Sequence, residues 1–472
     1  MFQQIDRIVN ARSLAIVGAS DKPGKFGTLL TASQLAMGFS GPVYLVNPAG
    51  GEILGRRVYP SLLDLPEDPD LVYVAVPAPA SLPILHACAQ RRVQGVVMVA
   101  SGFGEAGADG HGLEKEALRT AREGGFRIIG PNCFGIYNPR NRLTLTPGHD
   151  FSTVPGDVAF ISQSGGYAAH VARLGKSLGL SFRAVVSYGN GADLEARDFL
   201  RYFGQDDGTG IIAGYLEGTR DGRGFLDALA AAAARKPVVI WKVGRGEAAT
   251  RAVVSHTGSL AGAHPVWNGV LGRRGVFRVS GVEELLDVLV AWKHLGSNPG
   301  RRVLFVGGGG GLGAFAADLA EEEGLGLPPL DENAGAALRA MLRGAGAVAG
   351  NPLDIGAPLI PLPQFEAVMR AAAGNETTDV VLLDLAVNFA MLLGGLEGMV
   401  RVAETLGRVR AETGRPMAVV LYSRACDPDD LEPERVLRRM RSILHEGSVA
   451  VFPSLPRAVR ALSRLTGDGY PR

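Results

Sequence analysis

Cysteine is scarce in this chain: only Cys88, Cys133 and Cys426 occur in 472 residues. They lie far apart, form no Cys-x-x-Cys pair and make an odd number. A disulfide framework is therefore not the organising device, no structural zinc site is expected, and a reducing compartment fits best. Charge of one sign is equally lacking, because 48 Lys+Arg stand against 47 Asp+Glu for a formal net charge of +1. With no global field, neither nucleic acid nor an anionic membrane is an expected partner, and any bound anion must be held locally. Lysine is rare, found only at positions 22, 25, 115, 176, 236, 242 and 293. Long apolar runs are missing too: Pro77, Pro79 and Pro83 break one window, and Asp384 and Asn388 break another. The opening MFQQIDRIVN carries acid and amide groups where a signal peptide would need an apolar stretch. The expectation is a soluble cytoplasmic protein.

What is abundant is glycine, 65 residues, set in a regular rhythm. Short β-branched runs (LAIVGAS, PVYLVNP, LVYVAVP, GVVMVAS) alternate with longer Ala/Leu/Arg segments of helical period. Such alternation predicts parallel strands joined by helices. The rhythm returns in VAFIS, RAVVSYG, GIIAGYLEG and PVVIWKVG, and again in RVLFVGGGG, VVLLDLA and MAVVLYS. Two irregular stretches, Asn138 to Asp157 and Leu295 to Arg302, read as connections. The fold expected is α/β: three doubly wound domains in series, over 1–140, 155–296 and 300–472.

Each module carries a strand running into a Gly/Ser loop and then a helix: Val17-Gly18-Ala19-Ser20, Ile161-Ser162-Gln163-Ser164-Gly165-Gly166, and Val306 followed by Gly307 to Gly311. Backbone N–H groups left free at a helix start, with the helix dipole behind them, suit a phosphate, and glycine lets it come close. Tight packing alone also explains such a turn, but three in one chain make phosphorylated ligands the theme. The first lacks a full GxGxxG and is followed by DKPGKFG, where Lys22 and Lys25 are placed for a pyrophosphate or ribose phosphate; a nicotinamide is not the obvious ligand. Asn47-Pro48, Val76-Pro77 and Gly130-Pro131-Asn132-Cys133 end further strands of this module and should line one crevice.

The most informative stretch is Val253-Val254-Ser255-His256-Thr257-Gly258-Ser259-Leu260-Ala261-Gly262. An imidazole that accepts and returns a phosphoryl group needs a free ring nitrogen, room to move and donors for the phosphate oxygens, and a loop of glycine and hydroxyl residues supplies all three. The other ring nitrogen needs a carboxylate to hold it. Glu217 in Tyr215-Leu216-Glu217-Gly218 is the candidate; Asp193, Glu195 and Asp198 compete, although charges at a helix start more often cap it. His170 and His294 lie in helical patterns and read as structural.

Taken in order, SLAIVGASDKPGKFG, VYLVNP, GRRVYPSL, VAVPA, ASGFGEAG, GPNCFGI, ISQSGG, SYGNGADLEARDFL, YLEGTRDGR, KPVVIWKVGR, SHTGSLAG, GGGGGLGAFAADLAEEEGL and NPLDIGA resemble the ADP-forming acetyl-CoA synthetases and the related succinyl-CoA synthetases over nearly the whole chain. The resemblance implies a Rossmann-like CoA-binding domain followed by two flavodoxin-like ligase domains. It implies that Gly18, Ser20, Lys25, Asn47, Val76 and Pro77 contact coenzyme A, and that Asn132 and Cys133 lie near its thiol end and the acyl-phosphate site. His256 matches the phosphorylated histidine, Glu217 the carboxylate that steadies it, and Ser164, Gly165 and Gly166 the helix start that holds the phosphate. The glycine run, with Gly309, Gly310 and Gly311, matches a second helix start facing the nucleotide-side position of the histidine. Departures are Gly307 and Gly308, where a polar pair is common, and Leu312, where proline is frequent.

No counterpart of the family's ATP-grasp module follows the third domain. The implied activity is an acid–thiol ligase, forming acyl-CoA, ADP and phosphate from acid, CoA and ATP through phospho-His256. ATP/ADP and Mg²⁺ would then sit on a partner ATP-grasp beta subunit, in a homo- or hetero-oligomer. The rival reading is a CoA-responsive regulatory protein that has lost this partner.

Overall fold

A computed structural model describes residues 1–145, 150–251, 264–272, 275–342, 346–356, 360–387, 395–424, 427 and 429–466. By packing it divides into two compact units, Met1–Val282 and Glu283–Arg472.

The first unit holds two sheets. Strands β1 (Leu14–Val17), β2 (Val43–Val46), β3 (Glu52–Ile53), β4 (Arg56–Tyr59), β5 (Leu71–Val74), β6 (Gly95–Met98) and β7 (Arg127–Ile129) form one, in the order β3-β4-β2-β1-β5-β6-β7. All its pairs are parallel except β3 with β4. Without the edge strand β3 the order is the 3-2-1-4-5-6 of doubly wound dinucleotide-binding sheets. Strands β8 (Gly135–Tyr137), β9 (Val158–Ser162), β10 (Phe182–Ser187), β11 (Ile211–Leu216), β12 (Val238–Lys242) and β13 (Val276–Val279) form the second, ordered β13-β12-β11-β9-β10-β8. Its parallel part is the flavodoxin order 2-1-3-4-5, with β8 added antiparallel to β10. The inner strands β1, β5, β6, β9, β11 and β12 are buried along their whole length, which is why they read as unbroken Val/Ile/Leu-rich runs rather than alternating ones. One core joins both sheets: Ile8, Tyr73 and Ile129 pack in the same cluster as Ile136, Tyr188 and Phe199. Tyr202 donates to Asp6 Oδ1 (2.8 Å) across it.

The second unit has one parallel sheet, β14 (Val303–Gly307), β15 (Leu353–Asp354), β16 (Val380–Ala386), β17 (Met417–Tyr422) and β18 (Ala450–Phe452), ordered β15-β14-β16-β17-β18, again the flavodoxin order. The helix Val282–Leu295 joins this unit from Glu283 onward. Its Asp287 accepts two bonds from Arg457 (2.7 and 2.8 Å) and its Glu284 one from Arg464 (2.9 Å). His294 on it stacks on His445, with ring centroids 4.8 Å apart and planes 11° from parallel. Among the described residues no helix is long and apolar enough to cross a membrane.

Candidate active site

In doubly wound sheets ligands bind where neighbouring strands diverge in connection, here between β1 and β5, β9 and β11, and β14 and β16. At the first such point the chain turns on Gly18 (φ +87°). A Cβ there would lie 2.7 Å from the Ala75 carbonyl oxygen, and one on Gly27 would lie 1.9 Å from the Gly18 carbonyl oxygen. Strand exit and helix Phe26–Met37 are thus pressed together backbone to backbone. Lys25 stands at the N-cap of that helix with no side-chain cap bond, and is exposed. The first N–H groups of the helix are left for solvent or an anion, beside a cation. Asn47 ties β2 to the same loop, donating to Ala19 O (2.9 Å), while Ser20 Oγ accepts Lys22 N–H (3.1 Å). Val76 is half-buried and Pro77 exposed at the β5 exit.

Asn132 adopts φ +57°, and its N–H donates to Ala100 O (3.0 Å). Behind it Gly189 is indispensable sterically, since a Cβ there would lie 2.2 Å from the carbonyl oxygens of both Pro131 and Asn132. Asn190 carries the contact onward, bonded to Asn132 (3.4 Å) and to Glu105. The Cys133 thiol faces inward, 3.4 Å from Met98 O, and burial pushes it up to about 12, so it packs as a small apolar group and is no thiolate nucleophile.

At the second point Ser164 caps helix Gly165–Ser177, its Oγ accepting Tyr167 N–H (3.3 Å). Gly165 is in contact with Phe134, whose ring also packs on Phe26 at 5.9 Å. That one ring therefore spaces the Lys25–Phe26 helix start from the Ser164–Gly166 helix start. A Cβ on Gly166 would meet only Ser164 Oγ, at 3.8 Å. Across the crevice, buried Glu217 follows β11, and Tyr215 donates to its Oε1 (3.2 Å). Gln163 Oε1 accepts both Glu217 N–H (2.5 Å) and Gly218 N–H (2.9 Å), locking the two strand exits together. Tyr215, Tyr167 and Trp241 form a mutual aromatic cluster, with centroids 4.6 to 4.8 Å apart. Burial, then the charge of Glu217, push the Tyr215 hydroxyl far above its usual range, so it stays a donor. The competing acids are engaged elsewhere: Glu195 and Asp198 form a capping box on helix Ala196–Gln205, and Asp193 accepts from Arg127 and from Ile128 N–H. His256, like Cys426, lies outside the described residues.

At the third point Gly309 (φ +106°) precedes helix Gly310–Glu322, and Gly310 and Gly311 face open space. Asp354 Oδ1 accepts Gly309 N–H (3.0 Å), so a carboxylate already stands at this helix start. Beside it lies a cavity of about 210 Å³ lined by Leu312, Ile355, Phe365, Leu383, Asp384 and Tyr422, among others. Burial raises the Asp384 carboxyl, and Tyr422 donates to it (3.0 Å).

Reading by residue type missed Gln163, Phe134 and Lys242. Lys242 did leave a signal: a lysine closing an apolar strand in a chain that uses seven.

The fold and these crevices define an α/β protein in which a CoA-binding module precedes a ligase-type flavodoxin module. Residues 12–139 match the CoA binding domain family, and residues 155–292 the succinyl-CoA ligase like flavodoxin domain family. The chain is 34% identical to the alpha subunit of ADP-forming acetate–CoA ligase I of Pyrococcus furiosus, over 98% of this chain and 97% of that one. It is 36% identical to ADP-forming acetate–CoA ligase I of Archaeoglobus fulgidus, over 80% of this chain but only 54% of that longer protein. Among solved structures, dinucleotide forming acetyl-coenzyme A synthetase 1 of Ca. Korarchaeum cryptofilum, in complex with phosphate and ADP, superposes with a TM-score of 0.83 at 31% identity, covering 98% of this chain and 96% of that one. The chain belongs to the family of ADP-forming acetate–CoA ligases, in the form of their alpha subunit.

Proposed function

We propose that this chain is the CoA-binding, phosphohistidine-bearing subunit of an ADP-forming acyl-CoA synthetase. The observation that carries the reading is the pairing of an anion-ready helix start, Ser164–Gly166, with a buried carboxylate, Glu217, across a crevice closed by Gln163. In the synthetic direction His256 takes the terminal phosphoryl group of ATP and passes it to a carboxylic acid; CoA sulfur then attacks the acyl phosphate and phosphate leaves. The Ser164–Gly166 N–H groups balance the phosphate charge, and Glu217 holds the imidazole so that its other nitrogen is the nucleophile. CoA lies along Gly18, Ser20, Lys25, Asn47, Val76 and Pro77, with Asn132 at its thiol end. A separate ATP-grasp beta subunit supplies the ADP/ATP site and its Mg²⁺; the longer length of the Archaeoglobus relative is compatible with a fused equivalent.

The test is labelling. Incubated with acyl-CoA and labelled phosphate, the chain should acquire an acid-labile, base-stable label, as a phosphoramidate does. His256→Ala should abolish it without loss of CoA binding, and Glu217→Gln should slow it. Wild-type levels of acid-labile label in His256→Ala would refute the assignment.

A further inference from the structure

We propose that Lys242 is a positioning residue for the phosphoryl-transfer crevice, fixing the exits of β11 and β12 in one geometry; the inference rests on the phosphohistidine reading above. Leu216 and Lys242 are register partners at the ends of the parallel pair, and the Val243 N–H still donates to Leu216 O (3.0 Å) one residue further on. The Lys242 side chain bridges the two strand exits. Its Nζ donates to Glu217 O (2.8 Å) and to Val243 O (2.5 Å), and lies 4.8 Å from the centroid of the Trp267 ring. The first bond fixes the backbone from which the Glu217 carboxylate projects. The second fixes the root of the segment that continues to His256.

The ammonium is buried, with 4% of the residue exposed. Burying a cation is expensive unless its donors are used, and a leucine or methionine would fill the same space at no such cost. Two carbonyls, an aromatic face and the neighbouring Glu217 charge offset the desolvation here. What the cation adds beyond packing is a fixed geometry at two strand exits and a positive charge beside Glu217. Around it Arg245 donates to Lys242 O (3.1 Å) and Val279 O (3.0 Å), Tyr215 to Glu217 Oε1, Gln163 Oε1 accepts the Glu217 N–H, and helix His264–Leu271 presents the Trp267 face. Burial, opposed by Glu217 and assisted by Arg245, lowers the Lys242 ammonium to about 8. Above that pH the site loses its cation.

The experiment is label uptake from acyl-CoA and labelled phosphate as a function of pH, in wild type, Lys242→Met and Lys242→Arg, with melting temperature and CoA binding as controls. Lys242→Met is expected to bind CoA normally yet take up label about 10- to 100-fold more slowly, the loss typical of misplacing a reacting group through its support. Lys242→Arg should recover part of that rate and shift the alkaline fall of the profile from near pH 8 to higher pH. Wild-type labelling by Lys242→Met, or an alkaline limb that Lys242→Arg does not move, overturns the proposal. Should either variant fail to fold, Lys242→Gln takes its place, and wild-type labelling by it overturns the proposal. A wild type that takes up no label at all instead refutes the phosphohistidine reading beneath it.

Discussion

Gly166 offers a perturbation in which stability and activity should move in opposite directions. It is the second residue of helix Gly165–Ser177, exposed, and a Cβ built on it meets nothing nearer than Ser164 Oγ at 3.8 Å. Gly166→Ala therefore clashes with nothing and removes the extra backbone freedom of glycine, gaining up to about 1 kcal/mol. For a body of this size that raises the melting temperature by about 2 °C. Yet the space the methyl enters is where a phosphate on the Ser164–Gly166 N–H groups would sit, at about 2.9 Å from its donors. Displacing it by about 1 Å should slow label uptake about 100-fold, equivalent to roughly 2.7 kcal/mol of barrier. Gly165→Ala is the contrast: its Cβ would lie 2.7 Å from Phe134 Cγ, so it should cost about 1–3 kcal/mol of stability as well as activity. Thermal melts beside labelling rates separate the two. If Gly166→Ala labels as fast as wild type, the phosphate does not use this helix start and the reasoning fails.

Two other outcomes follow from the packing. Gly27→Ala should weaken CoA binding by about 10-fold or more, because its Cβ would stand 1.9 Å from the Gly18 carbonyl and neither backbone can rotate away, at an overpacking cost of about 1–3 kcal/mol; unchanged CoA affinity by calorimetry would remove Gly18 from the site. In the second unit, burial lowers His294 to about 4 and, with the charges of its neighbours, His445 to about 3. Both are neutral at pH 7 and contribute no pH dependence there; as pH falls through 6.5 the unfolded chain takes up protons that the native stack refuses, so stability is lost progressively down to about pH 4. For His294 that loss is on the order of 3 kcal/mol, and His294→Phe should flatten the acid limb of denaturant unfolding; an acid limb identical to wild type would refute it.

Much of this architecture was legible because each inner strand is buried on both faces and must read as an apolar run. VAFIS, GIIAGYL and PVVIWK could hardly be anything else, and glycine marks the turns where backbone meets backbone, as Gly18 does against Ala75 and Gly27. The short strands were not legible. Gly135–Tyr137 lies in a stretch that reads as the close of the first module, yet it pairs antiparallel with β10 in the second sheet, a choice made by tertiary contacts such as Ile136 N–H to the Tyr73 hydroxyl. The same limit applies at the crevice. Ser164 and Glu217 sit in a recognisable local pattern, whereas Gln163, Phe134 and Lys242 act on residues 25 or more positions away, and only Lys242, a rare lysine closing an apolar strand, carries a local signature.

Three helix starts of one topology also show why the glycine loop alone does not specify a ligand. The dipole and the free N–H groups are common to all three, so the difference must come from what stands beside them. At Phe26–Met37 it is exposed Lys25 with no side-chain cap, an arrangement open to a multiply charged anion. At Gly165–Ser177 it is a serine cap on one side and a buried carboxylate across the crevice; Glu217 would repel a permanently bound phosphate, which suits the transient phosphate of the proposed function. At Gly310–Glu322 the Asp354 carboxylate already accepts the Gly309 N–H. A phosphate there must compete with a resident anion, and binds only as far as its extra charge outweighs the repulsion. The departures at Gly307, Gly308 and Leu312 fall on this same helix start, the one whose electrostatics ask least for a tightly held phosphate.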